Sequence, residues 1–199
     1  MSAKFVHLHT HSHYSLLQAL PKIPELVARA KKESCTALAL CDRGNLYGAI
    51  EFTKECKAAG IKPIVGVDVQ IAQNKRLLLY AENYAGYKNL LALVTESNLQ
   101  TPDKPTVTQE MLARHREGVL VIDPQDKTLA LPEIFYLEPG DRRAWQTLRA
   151  IENRGVQDAS NPYLEEEAFH FPTVAEMEAR FIPAQLAKTL EIAKRCNLE

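Results

Sequence analysis

Apolar residues along this chain fall into two periods. Residues 36 to 42 (TALALCD), 62 to 72 (KPIVGVDVQIA), 76 to 83 (RLLLYAEN) and 118 to 123 (GVLVID) are short runs rich in Leu, Val and Ile, which predicts strands. Phe5 and Val6 open a further strand at the N-terminus. Between these runs the period lengthens. Ile23, Leu26, Val27 and Ala30 recur at helical spacing, with Pro24 suited to a first turn, and 45 to 60 ends at Gly60, a natural helix terminator. Helices are also expected over 86 to 99, 106 to 118, 138 to 155, 173 to 181 and 183 to 199, with capping boxes at Thr106/Gln109 and Thr173/Glu176. The first seventy residues therefore alternate strand and helix, and apolar strands of this kind suit burial on both faces. This predicts parallel βαβ units and an α/β architecture.

Beyond Asp123 the pattern changes. Only PQDK separates VLVID from TLALPEIFYL, and four residues cannot carry a parallel crossover. Either the two runs form an antiparallel hairpin or one of them lies outside the sheet. The polar stretch 156 to 171 is the one plausible linker, so a single domain over 1–199 is expected, with a core to about 137 and a helical part from about 138.

The 199 residues carry 24 basic and 25 acidic side chains, spread along the chain, which excludes the strongly basic surface of an independent nucleic-acid binder. Cys35, Cys41, Cys56 and Cys196 have no CxxC spacing, which excludes a zinc ribbon and reads as buried reduced thiols. The N-terminus lacks a signal-peptide pattern and no apolar run is long enough to span a bilayer, so a cytoplasmic protein is expected, with no membrane partner.

Candidate chemistry sits in HLHTHSHYS, where His7, His9, His11 and His13 occupy every second position. On a strand, Phe5, His7, His9 and His11 would share one face and Val6, Leu8 and Thr10 the other. Histidines at a strand exit, joined by carboxylates from neighbouring strands, suit zinc, manganese or iron. Asp42, Asp68 and Glu133 stand at comparable heights on the later runs. A hydrogen-bonded core role is the bland reading for any single histidine. His115 in ARHREG reads as solvated, His170 beside Phe169 and Phe171 as packed, Trp145 as an ordinary helix-face residue, Glu165 to Glu167 as a solvated run, and Cys41 as core.

Taken together, FVHLHTHSHYSLL, LALCDRGNLYGAIEFTKECKAAGIKPIVGVDV, YAENYAGYKNLLALVTESN, EGVLVI, EIFYLEPGDRRAWQTLRAI and LEIAKRCNLE resemble the N-terminal polymerase and histidinol phosphatase (PHP) domain of bacterial DNA polymerase III alpha subunits. The resemblance implies a distorted (βα) barrel, here shortened from seven strands. It also implies a domain that in metal-competent members binds up to three ions and acts as a 3′-5′ exonuclease. Its implied partners are the rest of the polymerase alpha subunit, which this sequence does not contain, the proofreading exonuclease subunit, and DNA through the parent polymerase.

By the same resemblance His9 and His11 match the first ligand pair, and Asp68 stands where relatives have Glu. Gln18 replaces a ligand carboxylate, Arg43 follows Asp42 where relatives carry a ligand histidine, and Glu133-Ile134-Phe135 replaces Asp-x-His, so Phe135 removes another imidazole. A guanidinium has no lone pair to give and stays charged, so Arg43 cannot act as ligand and instead supplies charge that an ion would otherwise bring. His9, His11, Asp68 and Glu133 remain as a residual set for one zinc or manganese ion. The resulting expectation is a scaffold with a degraded metal site. Its rivals are an active metal-dependent phosphoesterase and a trimmed or engineered domain without activity. A barrel short of strands leaves open edges, which either the helices at 141 to 153 and 184 to 196 cover or a homodimer pairs.

Overall fold

A computed structural model describes residues 4–72, 75–101, 104–152 and 168–198. Most of the 156–171 stretch, with Glu165 to Glu167, lies outside the described residues. In chain order the elements are α1 (Ile23–Lys32), β1 (Ala37–Arg43), α2 (Ala49–Ala59), β2 (Lys62–Ala72), β3 (Lys75–Ala81), α3 (Tyr84–Gln100), α4 (Gln109–Arg114), β4 (Val119–Ile122), a 3-10 turn (Pro139–Asp141), α5 (Arg142–Glu152), α6 (Val174–Arg180) and α7 (Pro183–Arg195).

The helices begin and end where side-chain chemistry permits. Asn83 caps α3 by accepting from the Gly86 amide at 3.0 Å, and Gly60 closes α2 in the left-handed region. The Thr173/Glu176 box forms as expected: Glu176 Oε2 accepts the Thr173 amide at 2.7 Å, and the Glu176 amide donates back to Thr173 Oγ1. The expected box at Thr106/Gln109 does not form. Thr108 caps α4 instead, because the Val107 amide is already bound to the Gln70 carbonyl and holds the chain extended up to that point.

The sheet has order β1-β2-β3-β4. β1 and β2 pair in parallel across the α2 crossover, as a βαβ unit requires, whereas β2/β3 and β3/β4 pair antiparallel. The parallel expectation for the first seventy residues holds for β1/β2 and for the bridge that the N-terminal segment makes to β1, whereas β3 lies beyond them and the short link from β2 makes that pair a hairpin. The N-terminal segment does not form a regular strand. It makes isolated parallel bridges, His7 to Leu38 and Thr10 to Ile134. Of the two arrangements open for 128 to 137, the hairpin with β4 is not found: Ile134 turns away to bridge Thr10, and Tyr136 bridges His170.

Alternation along β1 sorts the core into layers. Ala37, Ala39 and Cys41 face inward with Leu8, Ile64, Leu78, Tyr80 and Ile122, while Leu38 and Leu40 pack outward on α1 and α2. The last helices cover this body. Ile192 and Ala193 of α7, with Cys196 just after it, join the inner cluster, and Trp145 of α5 packs on Phe135, Tyr136 and Phe169. All four cysteines are free and buried.

Candidate metal centre

The inner face of the sheet carries its apolar layer up to Cys41 and Gly66. Two residues beyond, the same alternation presents Arg43 from β1 and Asp68 from β2, which are register partners. His9 and His11 arrive from the N-terminal segment, and Glu133 from the chain that bridges it. Their backbones are locked together: the His11 amide donates to the Ile134 carbonyl, and the Ile134 amide to the His9 carbonyl, each at 3.0 Å.

One ligand atom from each of His9, His11, Asp68 and Glu133 lies within 4.8 Å of all the others. His11 Nε2 is 3.1 Å and His9 Nε2 3.4 Å from Glu133 Oε1, and His9 Nε2 is 3.7 Å from Asp68 Oδ2. Tetrahedral coordination with bonds of about 2.0–2.1 Å places neighbouring ligand atoms about 3.3 Å apart. His9 Nε2 and Asp68 Oδ2 are buried and have no hydrogen-bond partner. Two histidines and two carboxylates, with orphaned atoms turned toward one another, fit a single divalent ion.

Two arginines share the site. Arg43 Nη2 donates to Glu133 Oε1 at 2.9 Å and its Nε lies 3.5 Å from Asp68 Oδ2. Arg76 Nε donates to Asp68 Oδ1 at 2.7 Å and Nη2 to the Asp68 carbonyl at 3.0 Å. Burial opposes ionisation of Asp68, but His9 and the Arg76 charge outweigh it and hold the carboxyl below its ordinary range. Burial also opposes ionisation of Glu133, and His9, His11 and Arg43 together hold it far below the usual glutamate range. Burial pushes the His11 imidazole down to about 4, against the pull of Glu133.

Phe135 forms the floor of the site. It stacks on His11 at 4.7 Å and 12°, and the Arg43 guanidinium carbon lies over its ring at 5.1 Å from the centroid. Gln18 is not at the cluster; its side-chain amide donates to Glu152 on α5 at 3.0 Å, and its backbone carbonyl accepts from Trp145 Nε1. Asp42 stands beside the cluster but is consumed by Ser12 and Ser15, and burial raises its carboxyl above the ordinary range despite those donors.

The expected common face for Phe5, His7, His9 and His11 is broken. His7 packs between Phe5 and Phe171, at 5.1 and 4.3 Å between ring centroids, and is not part of the cluster. Isolated bridges do not impose strict alternation, and Leu8 turns its carbonyl to the Tyr80 hydroxyl at 2.8 Å. His115 is not simply solvated, since its Nε2 lies 3.1 Å from Glu96 Oε2, and His170, expected to be packed, has its Nε2 2.9 Å from Glu176 Oε1. Arg76 was not among the expected site residues. Its signal was the short link between two strand-like runs, which forces a hairpin and sets Arg76 opposite Gln70, two residues from Asp68.

The sequence model of the PHP domain matches residues 7–158. The DNA polymerase III subunit alpha of Borreliella burgdorferi is 40% identical over 133 residues, covering 59% of this chain and 12% of that protein. The subunit of the same name from Treponema pallidum is 32% identical over 214 aligned positions, covering 96% of this chain and 18% of that one. The chain thus spans less than a fifth of these relatives. Among solved structures, an amidohydrolase from Chromobacterium violaceum aligns at a TM-score of 0.40 and 20% identity, over 55% of this chain and 48% of that one, a likeness too slight to build on. With more than half its length matched, this chain belongs to the PHP domain family.

Proposed function

We propose that this chain serves as the PHP domain of a bacterial replicative DNA polymerase III alpha subunit, working in the cytoplasm as a non-hydrolytic scaffold. The relatives above support the placement, and contact with DNA and with a proofreading subunit would follow through the rest of such a polymerase. Among the described residues no helix is long and apolar enough to cross a membrane.

The observation that carries the non-hydrolytic reading is the pairing of each cluster carboxylate with its own arginine, Asp68 with Arg76 and Glu133 with Arg43. The two guanidiniums cancel the two carboxylate charges before any ion arrives. A clamp of two ions about 3.5–4 Å apart stabilises both the attacking and the leaving oxygen of an in-line displacement. Here the guanidiniums take the place and the charge of the further ions, leaving ligands for one zinc or manganese ion at His9, His11, Asp68 and Glu133.

The test is hydrolysis of a chromogenic phosphodiester with added manganese or zinc, together with the metal content of the purified protein. The expected rate is indistinguishable from that of His9→Ala, with no more than one ion per chain. Turnover that disappears in His9→Ala, or two tightly held ions, would sink the scaffold reading.

A further inference from the structure

Beside the cluster lies a second polar network, built by the turn that follows the histidines. Asp42, the penultimate residue of β1, is 1% exposed. Its Oδ1 accepts from the Ser12 amide at 2.7 Å and the Ser15 hydroxyl at 2.6 Å, and its Oδ2 from the Ser12 hydroxyl at 2.7 Å. The Arg43 amide donates to Ser15 Oγ at 3.1 Å, and His11 Nδ1 lies 3.4 Å from that same oxygen.

Counting hydrogens fixes the direction of the last contact. A serine hydroxyl has one hydrogen and two lone pairs. With Asp42 ionised, both of its oxygens can only accept, and two oxygens 2.6 Å apart require a hydrogen between them. That hydrogen is the one on Ser15. Ser15 Oγ is then left with lone pairs only, one for the Arg43 amide and one for His11. The contact closes only if His11 donates.

We propose that Ser15, held by Asp42, is a positioning residue that fixes His11 as its Nδ1–H tautomer and so presents the Nε2 lone pair to the cluster. The flat stack of the ring on Phe135 keeps this orientation, since a flipped ring would set carbon against both Ser15 and Glu133. Glu133 Oε1, 3.1 Å from His11 Nε2, competes with Ser15 for the one hydrogen of the neutral ring; with that hydrogen on Nδ1 the two atoms face each other as acceptors, an arrangement that a shared cation satisfies. The ligand class is a divalent first-row ion such as zinc. This deepens the reading of the cluster as a surviving one-ion centre, through residues that are not themselves ligands.

The tautomer is read by long-range proton–nitrogen NMR on the metal-free chain at about pH 8, with the His11 signals identified by their loss in His11→Asn. We expect one protonated nitrogen, Nδ1, in the unmodified chain and in Ser15→Thr, and a mixture of tautomers in Ser15→Ala. In calorimetric titration with zinc chloride, Ser15→Ala weakens binding about 10- to 100-fold, the range for loss of an outer-shell partner, and Ser15→Thr restores it. A major Nε2–H tautomer or a doubly protonated ring overturns the proposal. So does equal zinc affinity in Ser15→Ala, or no zinc binding by the unmodified chain. The tautomer of the unmodified chain decides the matter even where Ser15→Ala fails to fold. None of these readouts involves turnover, so hydrolysis by the unmodified chain would defeat the scaffold reading while leaving this one standing.

Discussion

His7 is 1% exposed, and neither ring nitrogen has a hydrogen-bond partner. Burial, with the Arg29 charge nearby, pushes its imidazole from 6.5 down to about 3. Above pH 6.5 the ring is neutral folded or unfolded and contributes no pH term. Below it the unfolded chain takes up a proton that the folded chain refuses, so stability falls as the pH drops from 6.5 toward 3. The slope is about 1.4 kcal/mol per pH unit, which gives a loss of about 2 kcal/mol at pH 5 and about 5 kcal/mol as the upper limit. His7→Leu nearly conserves volume and removes both unpaired nitrogens. At pH 7.5 the relief of their desolvation, about 1–3 kcal/mol, competes with lost ring contacts of about 0.5–1.5 kcal/mol to Phe5 and Phe171. A net gain of about 1 kcal/mol is expected, a rise in melting temperature of about 3 °C for a chain of this size. Urea unfolding at pH 7.5, 6 and 5 measures both effects. Taking the difference between the two proteins cancels other groups that titrate in the same range, His11 included. If the two stability curves run parallel between pH 7.5 and 5, His7 is not a neutral buried histidine and the reasoning fails.

Two further outcomes follow from the geometry. Arg43→Gln removes the cation beside Glu133, so the metal-free protein should lose about 1–3 kcal/mol in urea unfolding, while zinc binds at least about tenfold more tightly; unchanged zinc affinity would refute charge competition at this site. Gly86→Ala would set a Cβ 1.8 Å from the Gly118 carbonyl oxygen, a backbone atom that cannot swing aside, and should cost about 3 kcal/mol or more by the same assay, whereas Gly140→Ala, with open space around it, should stay within about 0.5 kcal/mol.

What the sequence disclosed about the centre depended on whether a residue's neighbours were set locally or across the chain. His9, His11, Asp68 and Glu133 were legible because strand ends collect ligands, and Arg43 because a resemblance supplied its register. The layering of β1 was legible for the same local reason, since Leu38 and Leu40 on one side and Ala39 and Cys41 on the other follow from alternation alone. His7 was not, because alternation binds only where a continuous ladder enforces it, and this segment has bridges in place of a ladder. Arg76 depended on a hairpin register with an irregularity between Gln70 and Ala72, which no single run of residues reveals. Ser12 and Ser15 look like ordinary turn residues until Asp42, about thirty positions later, is placed against them. The donors around Asp68, Glu133 and Asp42 answer one physical need: a buried carboxylate must be compensated, and the chain supplies donors from wherever the fold brings them near. Guanidiniums answer Asp68 and Glu133, and hydroxyls answer Asp42. Fixed donors of this kind stabilise a carboxylate without offering the open coordination position at which an incoming water or phosphate would react.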